Sequence, residues 1–213
     1  NKLILKDYNL INSWKKGSFL LSSLKYSIVN DYKIIYPPNN YYDDSSAIIN
    51  ETLKNYKAVL LAPGRYYLKN KIEINKSATK YNVKILMGIG IVTFMSDNES
   101  GILTTENEHP GIIIYSILFE AINKLDDLNK EMNFKSLVNI GNKITENKSN
   151  IPKNFLIDCY IKYGGHVTTD RKYDLLNKKS LCDCLIKVNS NNVMVINFWG
   201  WRADHYVNST KSI

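Results

Sequence analysis

From Lys57 onward the sequence is cut into apolar, β-branched and aromatic runs of roughly four to eight residues, each closed by Gly, Pro, Asn, Asp or Ser before a helix could be completed. The runs occupy residues 58–61, 66–68, 71–74, 83–87, 91–95, 112–119, 137–140, 155–161, 185–188 and 193–198. That punctuation restricts the chain to short strands and turns. No amphipathic helices alternate with the runs, which disfavours a doubly wound α/β sheet. Periodicity leaves two arrangements open: an antiparallel sandwich, or a coil of parallel strands. Several runs recur about 20 to 30 residues apart, the rung length of a solenoid. Asn189-Ser190-Asn191-Asn192 joins the last two runs, a corner chemistry in which Asn tolerates left-handed backbone angles.

One helix is expected, over residues 45–56. Asp43-Asp44-Ser45-Ser46 supplies N-cap chemistry, and Ala47, Ile48, Leu53 and Tyr56 follow at spacings suited to one face. Just ahead of the first rung, such a helix would close the end of a solenoid, where core side chains otherwise meet water. Before it, residues 1–42 read as an irregular arm with edge strands, and Pro37-Pro38 bars a helix across the junction. Charged insertions at 123–135, 142–153 and 168–179 interrupt the rungs and are candidates for loops that wall a groove.

A net charge of +8 over 213 residues would ordinarily raise nucleic-acid binding. Here the cations are nearly all Lys, with only Arg65, Arg171 and Arg202 as arginines. No helix gathers them on one face and no aromatic-basic RNA motif is present, so they read as a solvated surface and nucleic acid is not an expected partner. No stretch reaches the ~18 to 20 apolar residues of a membrane span. The first ten residues lack the apolar core of a signal peptide, so a secreted form would have had its signal removed or encoded outside this sequence. Cys159, Cys182 and Cys184 lack the spacing of a zinc site and are too few for a disulfide framework. A Cys159–Cys182 bridge and three small buried thiols both stay open. No metal or cofactor is expected. Asn-x-Ser/Thr sequons at Asn50, Asn75, Asn98, Asn147 and Asn208 fit a glycoprotein, although so Asn-rich a chain produces some by chance.

Two stretches carry a resemblance. Asp43-Asp44-Ser45-Ser46-Ala47-Ile48, followed by Val59-Leu60-Leu61-Ala62-Pro63-Gly64-Arg65-Tyr66-Tyr67-Leu68, resembles the opening of pectate-lyase-like β-helix proteins: a cap helix, then a strand ending in a Pro-Gly turn. Met87-Gly88-Ile89-Gly90, residues 111–121, Tyr163-Gly164-Gly165-His166 and above all Trp199-Gly200-Trp201-Arg202-Ala203-Asp204-His205 are similar to laminarinase-type two-β-helix exo-β-1,3-glucanases and to related β-helix proteins that bear a discoidin domain. The resemblance covers about residues 43–205. It implies an all-β fold, a right-handed parallel β-helix with an N-terminal capping helix, in which residues 43–213 form the first part of a longer β-helix. It further implies a secreted or cell-surface protein acting on a polysaccharide or cell-wall glycan, as a β-glucan-type glycoside hydrolase or a module of one, with a polysaccharide lyase less favoured. The alternative is a non-catalytic β-helix for carbohydrate binding, attachment or scaffolding. The acid catalyst of the glucanases belongs to the second half of a longer chain, and nothing in this sequence matches it. The oligomeric state is not addressed by the sequence.

The candidate site centres on the last of these motifs. If Ile196 and Phe198 point into the coil, two-residue alternation turns Asn197, Trp199 and Trp201 outward, where exposed indoles would stack on an apolar pyranose face. The opposing reading puts both rings under a flanking loop or under the remaining half of a longer protein. Trp199, Trp201, Arg202 and His166 are the expected substrate-binding residues, and Asp204 and His205 the expected catalytic ones. Arg202 and Asp204, two apart, would also suit a purely structural ion pair. Glycoside hydrolysis needs two carboxylates astride the scissile bond; Glu120, Asp158, Asp183 and Asp204 are the candidates, with no pairing assigned.

Overall fold

The structure is a computed structural model that describes residues 31–75, 84–106, 111–122, 132–141, 154–164, 181–190 and 193–203, the last two positions and residue 164 by backbone alone. The runs of the sequence are strands, and the strongest of them show no alternation of burial. Residues Ala58–Leu61 and Lys84–Gly88 are buried at every position. Strands hidden on both faces are characteristic of parallel sheets.

The strands wind in successive coils. The first full coil holds β2 (Ala58–Leu61), β3 (Gly64–Tyr67) and β4 (Ile72–Ile74), and the second β5 (Lys84–Gly88), β6 (Val92–Ser96) and β7 (Leu103–Thr105). The third holds β8 (Ile112–Tyr115), β9 (Leu118–Ala121) and β10 (Asn133–Ile140), and the fourth β11 (Asn154–Ile157), β12 (Tyr160–Gly164) and β13 (Leu181–Val188). A fifth opens with β14 (Val193–Ile196) and β15 (Trp199–Ala203). Each strand pairs in parallel with its counterpart one coil away. With β1 (Tyr32–Ile35) ahead of them, the result is three stacked sheets: β1-β2-β5-β8-β11-β14, β3-β6-β9-β12-β15 and β4-β7-β10-β13. This is a right-handed parallel β-helix, and the antiparallel alternative falls. The extra strand β1 precedes the first full coil and pairs with β2, so part of the expected arm is the edge strand of the first sheet.

Register shows where the coils lengthen. Ala58 lies beside Ile85, and Ile85 beside Ile113, steps of about 27 residues. Ile113 then lies beside Phe155 and Phe155 beside Met194, steps of about 40. The added residues fall between β9 and β10, between β10 and β11, and between β12 and β13, where the charged insertions were expected; the greater part of those insertions lies outside the described residues.

Two runs that look continuous in sequence, 112–119 and 155–161, are each two strands joined by a bend, and 193–198 is the strand β14 followed by the same bend into β15. Ser116, Asp158 and Asn197 sit at the bends with φ of 55°, 51° and 46°. They stack one coil above another, and each is followed by a residue packed on the core: Ile117, Cys159 and Phe198. Small polar residues suit this position because they tolerate left-handed backbone. The bend corrects one expectation. Phe198 does pack inward, but Ile196 lies beside Ile157, which belongs to a second apolar cluster on the outer face of the first sheet.

One continuous core fills the solenoid from Ile35 to Tyr163, with Phe198 packed against it. In the second sheet Tyr66, Phe94 and Phe119 form an edge-to-face ladder, with centroids 6.0 and 5.9 Å apart. Coils approach so closely that a Cβ on Gly88 would collide with the Ser116 carbonyl. The cap helix α1 (Ser46–Asn55) buries Ile49 and Leu53 in this core. Ser45 is its N-cap by position, yet the capping is done by Asp44, whose Oδ1 accepts from the Ser46 amide (2.9 Å), the Ser46 hydroxyl (2.6 Å) and the Lys69 amide (3.0 Å). Burial alone would raise the Asp44 pKa; the bonds from Ser46 and Lys69 outweigh it and hold the carboxyl below its usual range. At the other end of α1, buried Lys84 donates its Nζ to the Leu53 and Tyr56 carbonyls, which a helix C-terminus leaves unpaired.

Two sequons turn out to have structural work. Asn50 donates to the Lys71 carbonyl at 3.1 Å and accepts from the Glu73 amide at 2.9 Å, tying α1 to β4, while its partner Thr52 is buried and donates to the Ile48 carbonyl. The Asn98 side chain bonds Ser100 and the Lys69 carbonyl. Cys159, Cys182 and Cys184 are free thiols, so the Cys159–Cys182 bridge is not formed.

Candidate functional site

The outer face of the second sheet is read directly from register. One column runs Arg65, Thr93, Leu118, Tyr160, Trp199; the next runs Tyr67, Met95, Glu120, Lys162, Trp201. Between them lies the inward column that ends Phe119, Ile161, Gly200. At Gly200 the inner space is taken by Leu185 and Phe198, the former 2.7 Å from where a Cβ would stand. A glycine flanked by two tryptophans thus places no side chain inside and both indoles outside.

Both rings reach solvent. Trp199 is 67% exposed and Trp201 38%. They stand nearly parallel, at 16° with centroids 6.4 Å apart. Tyr160, one coil earlier, meets Trp199 at 4.9 Å and Trp201 at 6.5 Å. Burial first, and then the negative field of Glu120, raise the Tyr160 pKa, so its hydroxyl keeps its proton at neutral pH.

A charged pair adjoins the rings. Lys162 Nζ is 2.8 Å from Glu120 Oε1, and both side chains are largely shielded, at 16% and 10% exposure. The same ammonium lies 5.4 Å from the Trp201 ring centroid, within cation–π range. The lysine is neutralised by the carboxylate, so the platform is aromatic with no net charge from this pair. Apolar ring faces, one phenol hydroxyl and a compensated ion pair can stack and hydrogen-bond a neutral ring.

The expected site residues are only partly brought together. Trp199 and Trp201 form the platform. Arg202 is in register with Tyr163, which belongs to the core-facing column, and not with the platform columns. His166, Asp204 and His205 lie outside the described residues. Of the carboxylate candidates, Glu120 adjoins the platform. Asp158 sits in a bend and accepts from Asn197 at 2.6 Å, and Asp183 is on the third sheet, paired with Lys135 at 3.1 Å. Sequence reasoning missed Tyr160 and Lys162, which join the tryptophans only through the parallel register.

The LAM55 pectate lyase-like domain family matches residues 40–211. The chain belongs to this family. An exo-β-1,3-glucanase of Streptomyces sp. (strain SirexAA-E / ActE) is 25% identical over 161 residues, covering 74% of this chain and 22% of the relative. This LAM55-family chain therefore spans less than a quarter of the length of that relative. No solved structure matches the chain. Among the described residues of the LAM55 domain, no group of three or more His, Cys, Asp or Glu side chains could hold a metal ion, and no helix is long and apolar enough to cross a membrane.

Proposed function

We propose that this domain is the glycan-engaging part of an extracellular glycoside hydrolase directed at neutral β-glucan, with Trp199 and Trp201 as the stacking surface. The observation that carries the reading is the pair of nearly parallel, solvent-exposed indoles on a rigid sheet, backed by Tyr160. Aromatic faces bind the apolar faces of pyranoses, and a platform built on paired strands loses little conformational freedom when it does so. Kinship with an exo-β-1,3-glucanase supports a glucan as the substrate class. A polyuronate is less well served, since the platform's cation is already paired with Glu120. The same pairing makes Glu120 the partner of Lys162 beside the rings. Catalysis is assigned to Asp204 and His205, which follow the platform strand in sequence, with His166 assigned to substrate contact.

Affinity electrophoresis through laminarin and through polygalacturonate tests the binding. Retardation by laminarin that is lost in Trp199→Ala and Trp201→Ala is expected; migration unaffected by laminarin, or retardation by polygalacturonate alone, overturns the reading. Reducing-sugar release from laminarin, with Asp204→Ala as control, separates the two roles of the domain. Binding without turnover favours the non-catalytic attachment reading.

A further inference from the structure

Glu120, Lys162 and Trp201 occupy the same outward column on three successive coils, β9, β12 and β15. An exposed indole on a strand is free to change rotamer, and ordering it when a ligand arrives opposes binding. Trp199 is steadied by contact with Tyr160 at 4.9 Å. Trp201 has the Lys162 ammonium over its ring at 5.4 Å. A lysine alone is a poor brace, because its stem is flexible and its ammonium prefers water. Here that ammonium is drawn to the Glu120 carboxylate at 2.8 Å, and Glu120 is itself buried in a column whose earlier members, Tyr67 and Met95, are also buried. The carboxylate is therefore the fixed end, the lysine the strut, and the indole the supported part.

We infer that Glu120 and Lys162 are positioning residues that hold the Trp201 indole parallel to Trp199, so that the platform is already shaped before a glycan arrives. The inference rests on the proposed function for its consequence in binding, but the geometry it asserts exists in the free protein. An ion pair kept only for folding would brace nothing. It would make the orientation of Trp201 indifferent to which residue of the pair carries the cation.

The charge-swapped variant Glu120→Lys/Lys162→Glu separates these cases, since it keeps a pair of opposite charges and moves the cation one coil farther from Trp201. The readouts are 19F resonances of the full chain labelled with 5-fluorotryptophan and calorimetric titration with laminarihexaose. In the swap and in Lys162→Met, the Trp201 resonance is expected to shift and broaden, and laminarihexaose affinity to fall about tenfold. Lys162→Arg, which retains the cation, is expected to restore both. A swapped protein with wild-type resonances and affinity overturns the inference. If the swap and Lys162→Met do not fold, Glu120→Gln, similar in shape and without charge, is judged by the same Trp201 resonance. A wild type that binds no laminarihexaose defeats the proposed function alone, because the resonances still decide whether the pair holds Trp201.

Discussion

Asn197 donates its side-chain amide to Asp158 Oδ1 across 2.6 Å, and both residues hold left-handed backbone where the chain bends from the first sheet into the second. Ser116 occupies the same place one coil earlier. The bend determines that Trp199 begins a new strand with its ring outward. A β-branched residue here meets the steric cost of left-handed backbone and loses the bond between coils. Asn197→Val and Asp158→Val are each expected to lower stability by about 1–2 kcal/mol, and Asn197→Gly by clearly less. Urea denaturation measures this, and equal losses for Val and Gly at position 197 would refute the backbone argument.

Lys84 stands inside the solenoid and holds the last carbonyls of the cap helix. Lys84→Met keeps most of the apolar stem and leaves those carbonyls without this donor, so a loss of about 1–3 kcal/mol is expected. A chemical-denaturation midpoint unchanged from wild type would show that the helix end finds other partners at no cost.

Burial pushes the Cys159 thiol and the Tyr66 hydroxyl up to about 12. In the unfolded chain these groups ionise near about 8.5 and about 10. The unfolded state therefore sheds protons that the folded state keeps, and the associated stability, complete below about pH 8.5, is lost as pH rises toward 12. Guanidinium melts from pH 8 to 10.5 are expected to show falling stability, with a shallower fall in Cys159→Ala. An identical slope in that variant would remove the thiol from the account.

At the platform, Trp199→Ala is expected to weaken laminarin binding by about tenfold or more while leaving the unfolding midpoint almost unmoved, since the ring is mostly in solvent. The ion pair beside it is internal to the protein, so binding is expected to change less than about twofold between low and high salt. A steep salt dependence in the titration would point to a charged ligand and against stacking.

A good part of this molecule is contained in local sequence. Short runs closed by turn residues dictate strands, Asp43 to Ser46 dictate a helix start, and Trp199-Gly200-Trp201 dictates two indoles on one face of whichever strand carries them. These follow from backbone sterics and two-residue alternation, which act within a few residues. Local patterns could not reveal that the runs 112–119, 155–161 and 193–198 are each broken by a left-handed residue, because a single Ser, Asp or Asn inside an apolar run also fits an unbroken strand. Nor could they join Glu120 to Lys162 and Lys162 to Trp201. Those residues meet only because parallel hydrogen bonding brings positions about 40 apart in the chain into neighbouring rungs, and that register depends on how many residues each loop between coils contains. The tertiary structure decided the company the tryptophans keep, since coil lengths, and not any local preference, determine which side chains stack beside them.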